Sequence, residues 1–279
     1  MNRIKDTLKH AVGQVAELAF PYLGKDIDNA RNTTRAPRLK RAIIHARLQR
    51  AKASGDHDAV EKALSTFWKG NPGDAFFSRH SDARFQLFLD HHLVIIEALR
   101  DFLESDRSGF HRIVEIGCGE GRALAHCFGQ MPHITSAVGL DINATVINQA
   151  SAEHADNKEL SFIEADGTDW LTANPSPGTV LFVNGGVLEY FSPEKLEKLL
   201  NTLAAHPSAA IVLIEPAAPG HDLENNNDSI VFGYENSFSH NHRYRLTQAG
   251  FEILHTTELQ IGQVRWILML GVCPGPSSR

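Results

Sequence analysis

Residues 112–121 read RIVEIGCGEG, an apolar run that passes without a break into glycines at three alternate positions. A short run of this kind, closed by turn residues, predicts a buried strand over 112–117. Helical spacing follows at once, so the segment is the opening strand and helix of a βαβ unit. Gly117, Gly119 and Gly121 let the chain turn sharply and let a ligand reach the backbone without meeting a Cβ. The amides at the start of the next helix favour an anionic group such as a carboxylate. A purely structural turn would also use glycine, so the motif needs support from elsewhere in the chain.

That support is the pattern downstream. Apolar runs at 136–141, 160–165, 179–184 and 209–215 predict four more strands, and helices are expected near 121–131, 144–155, 169–173 and 193–206. Strands apolar on both faces and alternating with helices predict a parallel sheet covered on each side. A helix over 240–249 stops at Gly250, and strands at 251–258 and 264–272 then follow almost directly. So short a connection makes them antiparallel neighbours. Before residue 110 the spacing is helical instead, with helices at 3–20 (ended by Pro21), 37–53, 56–69 and 82–105. The expected organisation is a helical region over 1–109, acting as a substrate cap, and an α/β domain over 110–279. The Asn-rich stretch 218–238 is long for a connection, and loops of that length are usually functional or mobile.

Two acids stand at matching places. Asp141 ends the second strand, 20 residues after Gly121, where a carboxylate can accept both hydroxyls of a ribose. Asp166 follows the third strand, placed to accept from an exocyclic amine such as that of adenine. Either could be a helix cap alone. Their register with the glycine turn, at the carboxyl ends of consecutive strands, is where open α/β sheets bind ligands.

With these residues in place the sequence resembles the class I S-adenosylmethionine-dependent methyltransferases. The likeness rests on EIGCGEG from Glu115, VGLDIN around Asp141 and Ile142, IEADG through Asp166 and Gly167, and NGGVLEYF from Asn184. It implies a Rossmann-like, seven-stranded, mostly parallel sheet in the order 3-2-1-4-5-7-6, with a terminal antiparallel hairpin. It also implies S-adenosylmethionine as cofactor. Gly117, Gly119 and Gly121 would line its methionine end, and Glu115 would hold its amino group through water. Asp141, next to Ile142, would take the ribose, and Asp166 with Gly167 the adenine. Asn184 and Gly185 would lie under the sulfonium. A nicotinamide-binding dehydrogenase would instead show GxGxxG, but position 122 is Arg.

Methyl transfer from a sulfonium asks a protein mainly for positioning and desolvation, and for a base only where the acceptor must lose a proton. Val187–Pro193, VLEYFSP, resembles a signature of small-molecule methyltransferases and makes Glu189 and Tyr190 the nearest catalytic candidates. It departs from the (D/N)-P-P-(Y/F/W) motif of enzymes that methylate exocyclic amines of nucleic acids. Packing of Tyr190 and Phe191 is the competing explanation. The cluster YENSFSHNHRY at 234–244 offers His240 and His242 as bases near neutral pH, with Ser239 as a helix N-cap. Two histidines at i, i+2 share no helix face, so a metal pair is not expected there. Arg84 or Phe85, on the helix leading into the domain, could touch cofactor or substrate, whereas the adjacent His91 and His92 need only packing.

The net charge of -6 gives no global attraction to nucleic acid, although residues 31–52 carry eight Arg or Lys and no acid. That stretch leaves an RNA or protein acceptor open beside a small molecule, as does a cofactor-binding protein that does not methylate. Cys118, Cys127 and Cys273 form neither a disulfide framework nor a metal spacing. No apolar window is long enough to span a bilayer and no secretory leader is visible, so a cytoplasmic location without membrane partners is expected. The sequence leaves oligomeric state and acceptor open.

Overall fold

A computed structural model describes residues 2–28, 37–105, 109–206, 208–233 and 236–273. Arg31, Arg35, Tyr234 and Glu235, which the sequence singled out, lie outside the described residues.

The chain opens with helices α1 (Asn2–Ala19), α2 (Pro21–Asp28), α3 (Pro37–Ser54) and α4 (His57–Trp68). Pro21 does end α1 but also starts α2, because proline's missing N–H is unused at a helix's first position. Helix α5 (Asn71–Leu87) runs through a π-turn (Phe88–His92) into α6 (Leu93–Ser105). The helix expected over 82–105 therefore begins eleven residues earlier, at Asn71, and is interrupted by one wide turn. Pro72 at its first turn supplies the start.

The sheet strands are β1 (Arg112–Ile116), β2 (Ser136–Asp141), β3 (Leu160–Glu164), β4 (Thr179–Asn184), β5 (Ala209–Ala217), β8 (Glu252–Ile261) and β9 (Val264–Cys273). Helices α7 (Arg122–Gly129), α8 (Ala144–Glu153), α9 (Gly167–Ala173), α10 (Pro193–Ala204) and α11 (His242–Gln248) connect or follow them. Strand order is β3-β2-β1-β4-β5-β9-β8, with β9 antiparallel to both neighbours and the other pairs parallel. Counting only these seven strands, this is the 3-2-1-4-5-7-6 order that the family resemblance implies. The segment 218–238 is not all loop: it contains β6 (Ile230–Phe232) and leads into β7 (Ser237–Ser239), a small antiparallel pair.

Neighbouring strand residues serve opposite faces. Ile113 and Phe182 pack with Phe88, Ile96, Leu99 and Leu124 on one side. Val114 and Leu181 pack with Leu196, Leu199 and Leu203 of α10 on the other. Both faces are buried, which is why the central strands read as unbroken apolar runs. Edge strand β8 alternates exposed and half-buried residues, as an edge should. The first helices form a separate layer: Leu48, Val60 and Leu64 of α3 and α4 close on Phe238 of β7, with Tyr190 against them. That contact brings the helical layer over the strand tips.

Candidate functional site

Gly119, at φ 53°, turns its amide onto the Asp141 carboxylate, 3.0 Å from Oδ2. The other oxygen, Oδ1, accepts from Asn143 N at 2.9 Å. The glycine turn and the second strand's acid are thus tied together directly. Burial pushes the Asp141 carboxyl up, against the opposing pull of these amides and of the Arg84 charge. Gly121 does not open on the cleft. A Cβ there would meet Phe162 Cε1 at 2.2 Å, so this glycine serves helix–strand packing, a correction to the ligand role expected of it.

Asp141, Ile142, Asp166, Gly167 and Tyr190 line one cavity, with Trp68 and Phe77 as its roof. Asp166 also caps a helix, since Oδ1 accepts from Thr168 N at 3.0 Å and Asp169 N at 3.2 Å. Its Oδ2 accepts from Lys195 Nζ at 2.7 Å, and Lys195 also pairs with Glu61 of α4 at 3.0 Å. Burial works against the Asp166 charge, but Lys195 and the two amides outweigh it and hold the carboxyl below its ordinary value. Glu61 reaches further, accepting from Ser192 N at 2.9 Å. The helical layer is therefore latched to the strand tips by ions and by rings, with Trp68 5.1 Å edge-on from Tyr190.

A second cavity adjoins the first through Phe77, Arg84 and Gly117. Glu115, Gly119, Asn184, Gly185 and His92 line it. Arg84 Nη2 donates to Gly185 O at 2.8 Å, and its charge reaches Glu115, Asp141 and Glu215. Glu115 is buried with Oε2 unpartnered among the described residues, and burial raises its carboxyl well above the usual range.

Glu189 and Tyr190 lie on a 3₁₀ turn (Leu188–Tyr190) after β4. Tyr190 faces the first cavity, whereas Glu189 lines neither. Behind the turn stands Glu215 of β5, accepting from Val187 N at 2.9 Å and Glu189 N at 3.1 Å. An acid near the end of an apolar strand is the signal that marked Asp141, so Glu215 could have been found the same way.

His240 and His242 do not reach either cavity. His240 Nε2 faces the carbonyls of Leu188 at 3.1 Å and Phe191 at 3.2 Å, and Nδ1 faces Ser229 Oγ at 2.7 Å. It braces the 3₁₀ turn from behind. Helix α11 starts two residues later than expected because Asn241, not Ser239, caps it, accepting from Tyr244 N at 3.1 Å. Ser239 instead accepts from Ala218 N at 2.9 Å. His242 is buried without a hydrogen-bond partner among the described residues, and burial, with the charges of Arg245 and His221, lowers its pKa to about 3. Its unfolded form binds a proton below about pH 6.5, while the folded form stays neutral down to about 3. Acid should therefore erode the margin of the wild type over a His242→Phe variant by about 1.4 kcal/mol per pH unit below 6.5. Urea melts of both proteins between pH 7 and 5 would show it; parallel stability curves would contradict it.

A family profile described as a methyltransferase domain matches residues 113–207. No curated protein matches the sequence. Among solved structures, an S-adenosylmethionine-dependent methyltransferase from Leishmania major superposes with a TM-score of 0.56 at 15% identity, over 81% of this chain and 89% of its own. Magnesium protoporphyrin IX methyltransferase from Synechocystis, with S-adenosylhomocysteine bound, gives 0.52 at 14% identity, over 76% of this chain and 99% of its own. The 1,6-didemethyltoxoflavin-N1-methyltransferase of Burkholderia thailandensis gives 0.51 at 12% identity, over 79% and 90%. At such identities the superpositions speak for the fold. The profile match falls on the stretch that holds the glycine turn, both strand-tip acids and the VLEY turn. Residues 113–207 thus match a methyltransferase-domain profile, and the chain shares the fold of S-adenosylmethionine-dependent methyltransferases.

Proposed function

We propose that the two joined cavities hold S-adenosylmethionine and that the chain methylates O, N or C of a small molecule admitted beneath the helical cap. The observation that carries this reading is the Gly119–Asp141 bond, which puts the bare backbone turn and a ribose-directed carboxylate in one cleft with Asp166. The residues fit the cofactor. Glu115 presents an unpartnered buried carboxylate oxygen to an ammonium group, and Arg84 in the same cavity suits a carboxylate. Asp141 with Ile142 takes the ribose, and Asp166 with Gly167 the adenine.

The bound cofactor supplies a methyl group already activated by a sulfonium, so no metal or strong base is required for departure. Asn184 and Gly185 floor the reacting centre, and Tyr190 orients the acceptor from the turn beside it. Trp68, Phe76 and Phe77 exclude water from above, which strengthens every polar contact inside. His240 contributes by holding the turn and not by taking a proton. The aromatic lining suits a small organic acceptor, as do the activities that the Synechocystis and Burkholderia proteins carry in their names. Helix α3 lends little to an RNA acceptor, since Arg47 and Arg50 are both engaged with Glu17. The cap is then the helical layer through α5, with α6 counted among the sheet's own covering helices. Calorimetry with S-adenosylhomocysteine tests the core of the proposal: micromolar binding is expected, and no measurable heat or displacement would end it.

A further inference from the structure

The π-turn at Phe88–His92 changes which residues of the α5–α6 rod face the sheet. An extra residue in one turn shifts the helical phase, and such turns recur at functional sites. Here it directs His92 to the sheet, where the ring is 1% exposed and lies 5.1 Å from Trp266 and 6.5 Å from Phe88, measured between ring centroids. Among the described residues neither ring nitrogen closes a hydrogen bond, and the nearby Asn184 side chain pulls the imidazole pKa up against burial. Asn184 Oδ1 and Glu115 Oε2 are likewise buried without a partner among the described residues. All three residues line the same cavity, and they come from three separate elements: β1, β4 and the π-turn.

Buried polar atoms are normally paired, because leaving one unpaired costs about 1–3 kcal/mol. One imidazole nitrogen, the Asn184 oxygen with its second lone pair and a Glu115 oxygen then remain as acceptors on one cavity even if the other imidazole N–H turns to Asn184, and they call for a ligand rich in donors. Water can donate only two hydrogens and a hydroxyl one, whereas an ammonium group donates three. We propose that His92 and the Asn184 side chain join Glu115 to form a three-acceptor socket for the α-ammonium group of the cofactor's methionine end. This deepens the cofactor reading and rests on it. The imidazole suits the task because burial, the dominant cause, lowers its pKa to about 4 and keeps a lone pair available. Arg84, in the same cavity, leaves the neighbouring carboxylate a cationic partner of its own.

The test compares S-adenosylhomocysteine with its deaminated analogue, in which hydrogen replaces the α-amino group. The wild type should bind the analogue about a hundredfold more weakly. In His92→Leu that ratio should shrink about tenfold, with binding of the analogue little changed, and His92→Gln, which restores an acceptor oxygen, should recover part of it. A ratio that stays at its wild-type value in His92→Leu, or equal weakening of both ligands, overturns the socket while leaving the cofactor reading intact. Failure of the wild type to bind S-adenosylhomocysteine at all would instead remove the cofactor reading. Should the leucine variant not fold, ¹⁵N spectra of histidine-labelled wild type decide. The His92 acceptor nitrogen should shift with S-adenosylhomocysteine and not with the analogue, and identical shifts with both overturn the proposal.

Discussion

Asp141→Ala is expected to weaken S-adenosylhomocysteine binding by on the order of a hundredfold, since hydrogen bonds to a charged acceptor contribute about 1.5–3 kcal/mol each. The effect has two sources. The carboxylate would lose both ribose hydroxyls, and the glycine turn would lose the anchor that Gly119 N now finds on Oδ2. Asp141→Asn should not rescue it. Each oxygen already accepts from a backbone amide, Asn143 on one side and Gly119 on the other, so a side-chain NH₂ must face one of those donors. The two variants should therefore fall together, unlike the usual pattern in which the amide keeps part of the function. Calorimetry on both, with melting curves to confirm folding, provides the measurement. An affinity within threefold of wild type in Asp141→Ala would remove the ribose assignment and with it the geometric heart of the site.

What the sequence made legible is what periodicity and punctuation encode. The central strands carry uninterrupted apolar runs because both faces are buried, and the glycine turn with acids at Asp141 and Asp166 repeats one feature at successive strand tips. These motifs carry the resemblance to the methyltransferases, and it is the resemblance that implies the sheet order and the cofactor class. The π-turn left no such mark: one extra residue in a helix preserves the apolar spacing on either side while turning His92 inward. The β6–β7 pair was equally silent, its strands being three residues each in an Asn-rich stretch. Polarity misled at His240 and His242. They read as bases near neutral pH but are both buried, and Ser229 with the carbonyls of the 3₁₀ turn engages His240 from inside. Gly121 misled in the opposite way: its place in the motif suggested ligand approach, while Phe162 packed against it accounts for it.

Replacing Glu215 should separate turnover from cofactor binding. Its carboxylate lies fully buried beneath the turn that carries Tyr190, and the amides of Val187 and Glu189 both point at it. In Glu215→Leu those donors lose their acceptor, so the turn loosens beside the reacting centre while Asp141 and the glycine loop stay in place. Expected is a fall in kcat of about tenfold or more, because small misplacement of a positioning group is expensive in rate, with S-adenosylhomocysteine affinity nearly unchanged. The pH dependence supplies a second signature. Burial raises the Glu215 pKa to about 7 in spite of those amides, so between its ordinary value near 4.5 and 7 the unfolded chain releases a proton that the folded one keeps. The carboxyl's contribution is thus largest in acid and declines as pH rises through that window, by about 1.4 kcal/mol per pH unit. The stability margin of the wild type over Glu215→Leu should shrink at that slope from pH 5 to 7 and level off above. A constant margin across the window, or a variant that loses cofactor affinity and kcat in equal measure, would show that Glu215 supports the cleft as a whole and not the turn that faces the acceptor.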